Sequence, residues 1–203
     1  MCIRDRSYFV DEFASEGIML EGIAGPPDYV AMGLPLTGER HREAMLGYRS
    51  LAQFGLMVSD RSRGRILRAG RRPLVRYDLC DHDAATVKAG LERLAELFWA
   101  AGARSVILPL RGLTELHGGD SSPLREARLR PRDLKLMAFH PLGTARASAD
   151  PATGVVDADL AVHGTEGLYV ADGSVVPSAL GVNPQITIMA LATRLACHLL
   201  ERS

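Results

Sequence analysis

A chain of 203 residues, 47% of them hydrophobic, is long enough for one large domain or two small ones. Its 24 basic residues balance its 24 acidic ones, so the overall charge gives no reason to expect nucleic acid or an anionic membrane as partner. Three scattered cysteines, Cys2, Cys80 and Cys197, fit a reducing, cytoplasmic setting better than a disulfide framework or zinc site, and no run approaches the ~18 apolar residues of an integral membrane segment.

Residues 1–7 of the opening "MCIRDRSYFVDEF" lack both an amphipathic period and the basic-then-apolar order of an export signal. They resemble a translated sequencing-library tail and are read as non-native. Between 8 and 50 the signals are mixed. "GIAGPPDYVAMGLPLTG" (22–38) is too broken by Gly and Pro to be regular, and a short helix fits within 39–55. "LMVS" and "RILR", separated by "DRSRG", suggest two strands joined by a polar loop carrying Gly64, and "PLVRYDL" (73–79) suggests a third. The arginines of "DRSRGRILRAGRR" (60–72) have no aromatics between them and read as a solvated hairpin.

After Asp83, taken as N-cap, Val87, Leu91, Leu94 and Phe98 recur at helical spacing, with Gly102 just past the end. Asp81 and Asp83 flank His82, but Asp83 already has the cap to serve. "RSVILPL" (104–110) reads as a short apolar strand and 111–133 as an irregular connection. Sheet, amphipathic helix and strand in this order indicate the α+β class. In the last third, "GLYVAD" (167–172) reads as a buried strand ending in an aspartate. "NPQITIMALATRLACHLLER" (183–202) places Asn183 at an N-cap and Pro184 at the first helical position. The helix is apolar nearly all round, the pattern of one buried in a larger body, and its N-terminus offers free N–H groups to an electron-rich group. His41, His82, His117, His163 and His198 show no metal-ligand spacing, so no metal site is expected. Ser174 lies outside any G-x-S-x-G elbow, which argues against a serine hydrolase.

"FHPLGTAR" (139–146) sets a titratable histidine in a segment otherwise built to turn. Alone, His140 would be read as a loop residue satisfied by backbone. Taken in order, "HPLGT", "YVADGSVVP" and "GVNPQITIMALA" resemble the C-terminal portion of the glucose–methanol–choline (GMC) family of FAD-dependent oxidoreductases, nearest the cholesterol oxidase and long-chain alcohol oxidase branch. The strong resemblance covers 138–200. A weaker one, including "GLERLAELFWAAGA", covers 45–110.

The resemblance implies a sheet-plus-helix substrate domain over 8–152. Residues 153–203 would then supply the last strand and buried helix of a Rossmann-like FAD-binding domain. It implies oxidation of an alcohol, with hydride passing to FAD. His140 would be the active-site histidine, accepting the hydroxyl proton, and Asn183 the second catalytic position, orienting the hydroxyl. Asp172, Gly173, Asn183, Pro184, Gln185 and Ile186 would meet the cofactor. The substrate would be a small alcohol, with apolar residues in 1–60 compatible with a lipophilic one, and the electron acceptor oxygen or another.

One departure stands out. The family's G-x-G-x-x-G fingerprint is absent, since "GIAGPP" (22–27) has the wrong spacing. Together with the alien opening residues, this leads us to expect a C-terminal fragment that holds FAD poorly by itself and leaves an apolar face of its last helix exposed. The alternative is a non-catalytic remnant with a structural or binding role.

Overall fold

The computed structural model describes residues 8–202, so the reading of 1–7 lies outside it. The chain forms two compact units. One comprises the chain as far as Ser62 together with Asp78–Met137, the other Arg63–Tyr77 and Ala138 onward. Helices and antiparallel strands are mixed throughout, as the α+β class requires.

In the first unit, strands β1 (Phe9–Val10), β2 (Ile18–Gly22) and β3 (Phe54–Val58) form an antiparallel sheet in that spatial order. β2 is central, and Ile18, Met19, Leu20 and Glu21 are all buried. Helix α1 (Pro27–Gly33) falls in a stretch expected to be irregular. Its proline occupies the first turn, where the missing N–H has no bond to lose. Lys135 Nζ, 3.2 Å from Met32 O and 2.9 Å from Leu34 O, satisfies carbonyls at its far end. Helix α2 (Gly38–Leu46) begins one residue before the segment, 39–55, expected to hold one.

β3 does not pair with the strand after it. It pairs with β2, from Ile18 opposite Val58 to Gly22 opposite Phe54. Strand β4 (Gly64–Ala69) instead pairs with β5 (Arg72–Tyr77) through the two-residue loop Gly70-Arg71, part of the second unit. Gly70 has φ +61 and Arg71 does not enter the left-handed region, so glycine meets the first-position demand of a II′ hairpin turn. The expected loop at 60–64 is therefore a connection between different sheets.

Helix α3 (Asp81–Ala100) starts three residues earlier than expected, with Cys80 at its N-cap and no side-chain cap bond. Asp83 lies inside the first turn, and its carboxylate serves a different purpose. It is 1% exposed and accepts hydrogen bonds from Arg61 N (3.0 Å), Ser62 N (2.8 Å) and Ser62 Oγ. Ser62 Oγ also accepts from Cys80 N at 2.9 Å. The carboxylate thus ties the chain before the β4–β5 hairpin to the chain after it. At the other end Gly102 (φ +83) donates to Trp99 O and Ala103 to Phe98 O, the paired bonds of a Schellman stop.

One stripe of α3 (Val87, Leu91, Ala95) packs with Val106, Leu108, Leu110, Leu116 and Leu124, and Leu94 joins Ile18 and Leu20 beneath the sheet. At Gly90 a Cβ would sit 2.4 Å from Leu56 Cδ1, so helix and sheet meet here only because the side chain is absent. Strands β6 (Ser105–Ile107) and β7 (Glu115–His117) form a short ladder, and α4 (Ser122–Glu126) follows. β7 and α4 give regular structure to a stretch expected to have none. Ser121, buried before α4, accepts from Trp99 Nε1 at 2.9 Å.

From Ala138 the second unit is mostly loops held by isolated bridges, including Ala161 opposite Tyr169. "GLYVAD" is therefore no strand: Tyr169 and Val170 are half-buried, but no neighbour extends the ladder. The core is Val156, Leu160, Val175 and Leu195. Leu160 has φ 65, the left-handed region, while its side chain is only 2% exposed. Asp157 Oδ1 holds this turn by accepting from Asp159 N (2.8 Å) and Ala161 N (3.0 Å).

Helix α5 (Gln185–Arg202) closes the described chain. Its first hydrogen bond runs from Ile188 N to Pro184 O, so the capping carbonyl belongs to Pro184 and Asn183 precedes the cap by one residue. Leu195 is buried, but Ile186, Met189 and Leu200 are 76%, 56% and 75% exposed. The all-round apolar pattern therefore faces solvent on one side.

Candidate functional site

His140 precedes a proline, which biases it toward extended backbone, and its side chain is half-buried. Two residues beyond Pro141, Gly143 takes φ +79, and a Cβ there would come 3.2 Å from Val176 O. Conformation and close approach both call for glycine at this position. The chain then lies along the Asp172 turn: Ala145 N donates to Ser174 O (3.0 Å) and Ala147 N to Val175 O (2.8 Å).

Gly173 is the junction. A Cβ on it would meet Ile188 Cδ1 at 3.1 Å, Leu142 Cδ2 at 3.2 Å and Pro141 O at 3.6 Å. The residues after His140, the Asp172-Gly173 turn and the first turn of α5 therefore converge on one point. Ile188 and Leu142 build this junction and were not singled out from the sequence, although the glycine between strand-like and helical stretches was its signal.

Asp172 has a local duty. It caps the short turn Gly173–Val175, its Oδ1 accepting from Ser174 N at 2.8 Å. Hydrogen bonds from the Ser174 hydroxyl and amide hold its carboxyl below the usual carboxylate range. At the start of α5, Pro184 is buried, Asn183 and Gln185 are half-buried and Ile186 is open. Gln185 Oε1 is buried and, among the described residues, accepts no hydrogen bond. An orphan acceptor beside the unpaired N–H groups of a helix start suits a planar ligand edge that carries both donors and acceptors.

Three other histidines lie against nearby oxygens. His41 Nδ1 lies 3.1 Å from Leu36 O, His163 Nε2 2.9 Å from Ser148 O, and His82 Nδ1 3.2 Å from Asp83 Oδ1. Among the described residues no group of three or more His, Cys, Asp or Glu side chains could hold a metal ion.

Residues 60–192 match the family model described as GMC oxidoreductase. The chain belongs to the GMC oxidoreductase family. An uncharacterized GMC-type oxidoreductase of Mycobacterium tuberculosis is 38% identical over 198 residues, covering 94% of this chain and 30% of that protein. A long-chain-alcohol oxidase of Arabidopsis thaliana is 30% identical over 169 residues, 78% of this chain and 23% of the relative. This GMC chain thus spans less than a third of the length of either relative. Its fold resembles a formate oxidase of Aspergillus oryzae, with a TM-score of 0.58 at 20% identity over 89% of this chain and 30% of that one. It also resembles a pyridoxine 4-oxidase from Mesorbium loti, with a TM-score of 0.55 at 19% identity over 90% of this chain and 34% of that one.

Proposed function

We propose that this chain is the catalytic C-terminal portion of a longer FAD-dependent oxidoreductase acting on the CH–OH group of an alcohol. The carrying observation is the Gly173 junction, where the segment after His140 meets the first turn of α5. Family membership and the long-chain-alcohol oxidase among the relatives support the reaction class. In this reading, residues 8–152 serve the substrate and 153–203 the cofactor.

FAD, when bound, supplies the acceptor for hydride leaving the carbinol carbon. The residues of this chain do the rest. That carbon releases hydride readily only as its hydroxyl proton departs, so a neutral imidazole nitrogen of His140 accepts the proton. The Asn183 carboxamide orients the hydroxyl oxygen without titrating. The backbone N–H groups at the start of α5 would offset negative charge on the bound cofactor, and the Asp172-Gly173 turn would help to hold it. Gln185 Oε1, buried without a donor, would accept a hydrogen bond from the cofactor. The electron acceptor is oxygen or another oxidant.

The test is made in the longer protein carrying this sequence, by following flavin absorbance on mixing with aliphatic and sterol alcohols. His140→Ala should retain flavin and slow its bleaching by about 10²–10⁴-fold, the usual contribution of a positioned base. Bleaching at the unsubstituted rate would refute the role.

A further inference from the structure

The β4–β5 hairpin plays no part in the flavin reading, and its surface is unusual for a water-facing loop. Between residues 61 and 77 there are seven arginines, at 61, 63, 65, 68, 71, 72 and 76, and no acidic residue. A molecule neutral overall therefore carries a strongly positive arm. Every residue of both strands is exposed. The register puts Arg65 and Arg76, Leu67 and Leu74, Ala69 and Arg72 on one face, with Ile66 and Val75, Gly64 and Tyr77, Arg68 and Pro73 on the other. Val75 is 67% exposed, and Ile66 and Leu74 are each 54% exposed. Near the turn, Ile66, Leu67 and Pro73 alternate with Arg68, Arg71 and Arg72 around an open hollow of about 480 Å³. Arg65, Arg71 and Arg72 form no ion pair among the described residues.

Exposed aliphatic pairs on both faces of a two-stranded ribbon mark a surface awaiting a partner, and the charge decides which. A second copy of the hairpin would bring like charges together. A nucleic acid would satisfy the guanidinium groups but leave Ile66, Leu67, Leu74 and Val75 against phosphate. The headgroup region of an anionic bilayer offers phosphates to the arginines and the acyl boundary to the aliphatic side chains between them. We infer that the β4–β5 hairpin docks on anionic lipid bilayers, with Arg65, Arg71 and Arg72 on lipid phosphates and Leu67 and Leu74 at the acyl boundary. The inference is independent of the flavin chemistry.

The test is co-sedimentation of the longer protein carrying this sequence with phosphatidylcholine vesicles containing or lacking phosphatidylglycerol. Binding is expected only with the anionic lipid and should weaken steeply as salt rises. Each arginine near the surface contributes roughly fivefold, so the triple variant Arg65→Gln, Arg71→Gln, Arg72→Gln should lose about a hundredfold in affinity. The double variant Leu67→Ser, Leu74→Ser should also weaken binding, because it removes aliphatic contact without changing charge. Far-UV circular dichroism confirms that both variants remain folded. Failure to bind the anionic vesicles, equal binding to neutral vesicles, or unchanged binding by the arginine variant would overturn the proposal. So would complete displacement by a short DNA duplex that the serine variant binds as tightly as the parent, since that would mark a general polyanion site.

Discussion

Replacing Asp83 by alanine removes the acceptor for Arg61 N, Ser62 N and Ser62 Oγ at a position only 1% exposed. A hydrogen bond to an ionised acceptor contributes about 1.5–3 kcal/mol, and an orphaned buried amide costs a comparable amount. Three such bonds share one carboxylate and are not additive, so the expected loss is about 3–5 kcal/mol. The assay is urea unfolding followed by fluorescence of Trp99. It is the single tryptophan of the chain and lies on the same helix, so the signal reports the affected unit. With a urea slope of about 1–3 kcal/mol/M, the midpoint should fall by more than ~1 M. Burial would by itself raise the Asp83 carboxyl, but hydrogen bonds from Ser62, His82 and Cys80 outweigh it and hold the group far below the usual range. A lowered folded-state value means the stabilisation is complete above the ordinary carboxylate pKa of about 3.9. It disappears only as pH falls through the folded value. The gap between parent and Asp83→Ala should therefore stay constant from about pH 5 to 8 and narrow below about pH 4. A loss under ~1 kcal/mol at pH 7 would refute the clamp.

Gly90→Ala should destabilise by about 1–2 kcal/mol, because overpacking against Leu56 outweighs the gain in helix propensity; a higher Tm would contradict the close approach. Gln185→Met should raise the Tm of the flavin-free chain by removing a buried unsatisfied oxygen, and should weaken FAD binding in the longer protein. A lower Tm would show that the amide has a structural partner. Arg40 reaches both Glu115 oxygens (2.8 and 2.7 Å) and Glu43 (2.6 Å) from an exposed position, so Arg40→Gln should leave the urea midpoint unchanged at high salt.

Helix α3 was legible because Val87, Leu91, Leu94 and Phe98 keep a 3.6-residue period over about three turns and Gly102 ends it. The strand partners were not. Residues 54–58 and 64–69 both look like strands, yet β3 joins β2 across some thirty intervening residues, and no local pattern records that pairing. Asp83 was mistaken for a cap because a first-turn acid and an N-cap acid look alike without the Arg61–Ser62 loop beside them. The segments meeting at Gly173 were recognisable from their motifs. The contacts made by Leu142 and Ile188 were not, because ordinary aliphatic residues carry no chemical mark.

Leu160 is asked for two incompatible things. Its backbone would be better served by a residue without a side chain, while the cavity around it needs a full-sized aliphatic one. Glycine would ease the torsion and leave a void; valine or isoleucine would fill space and sharpen the torsional clash. Library selection at this codon should therefore return leucine almost alone, although the residue is remote in sequence from every group assigned to chemistry.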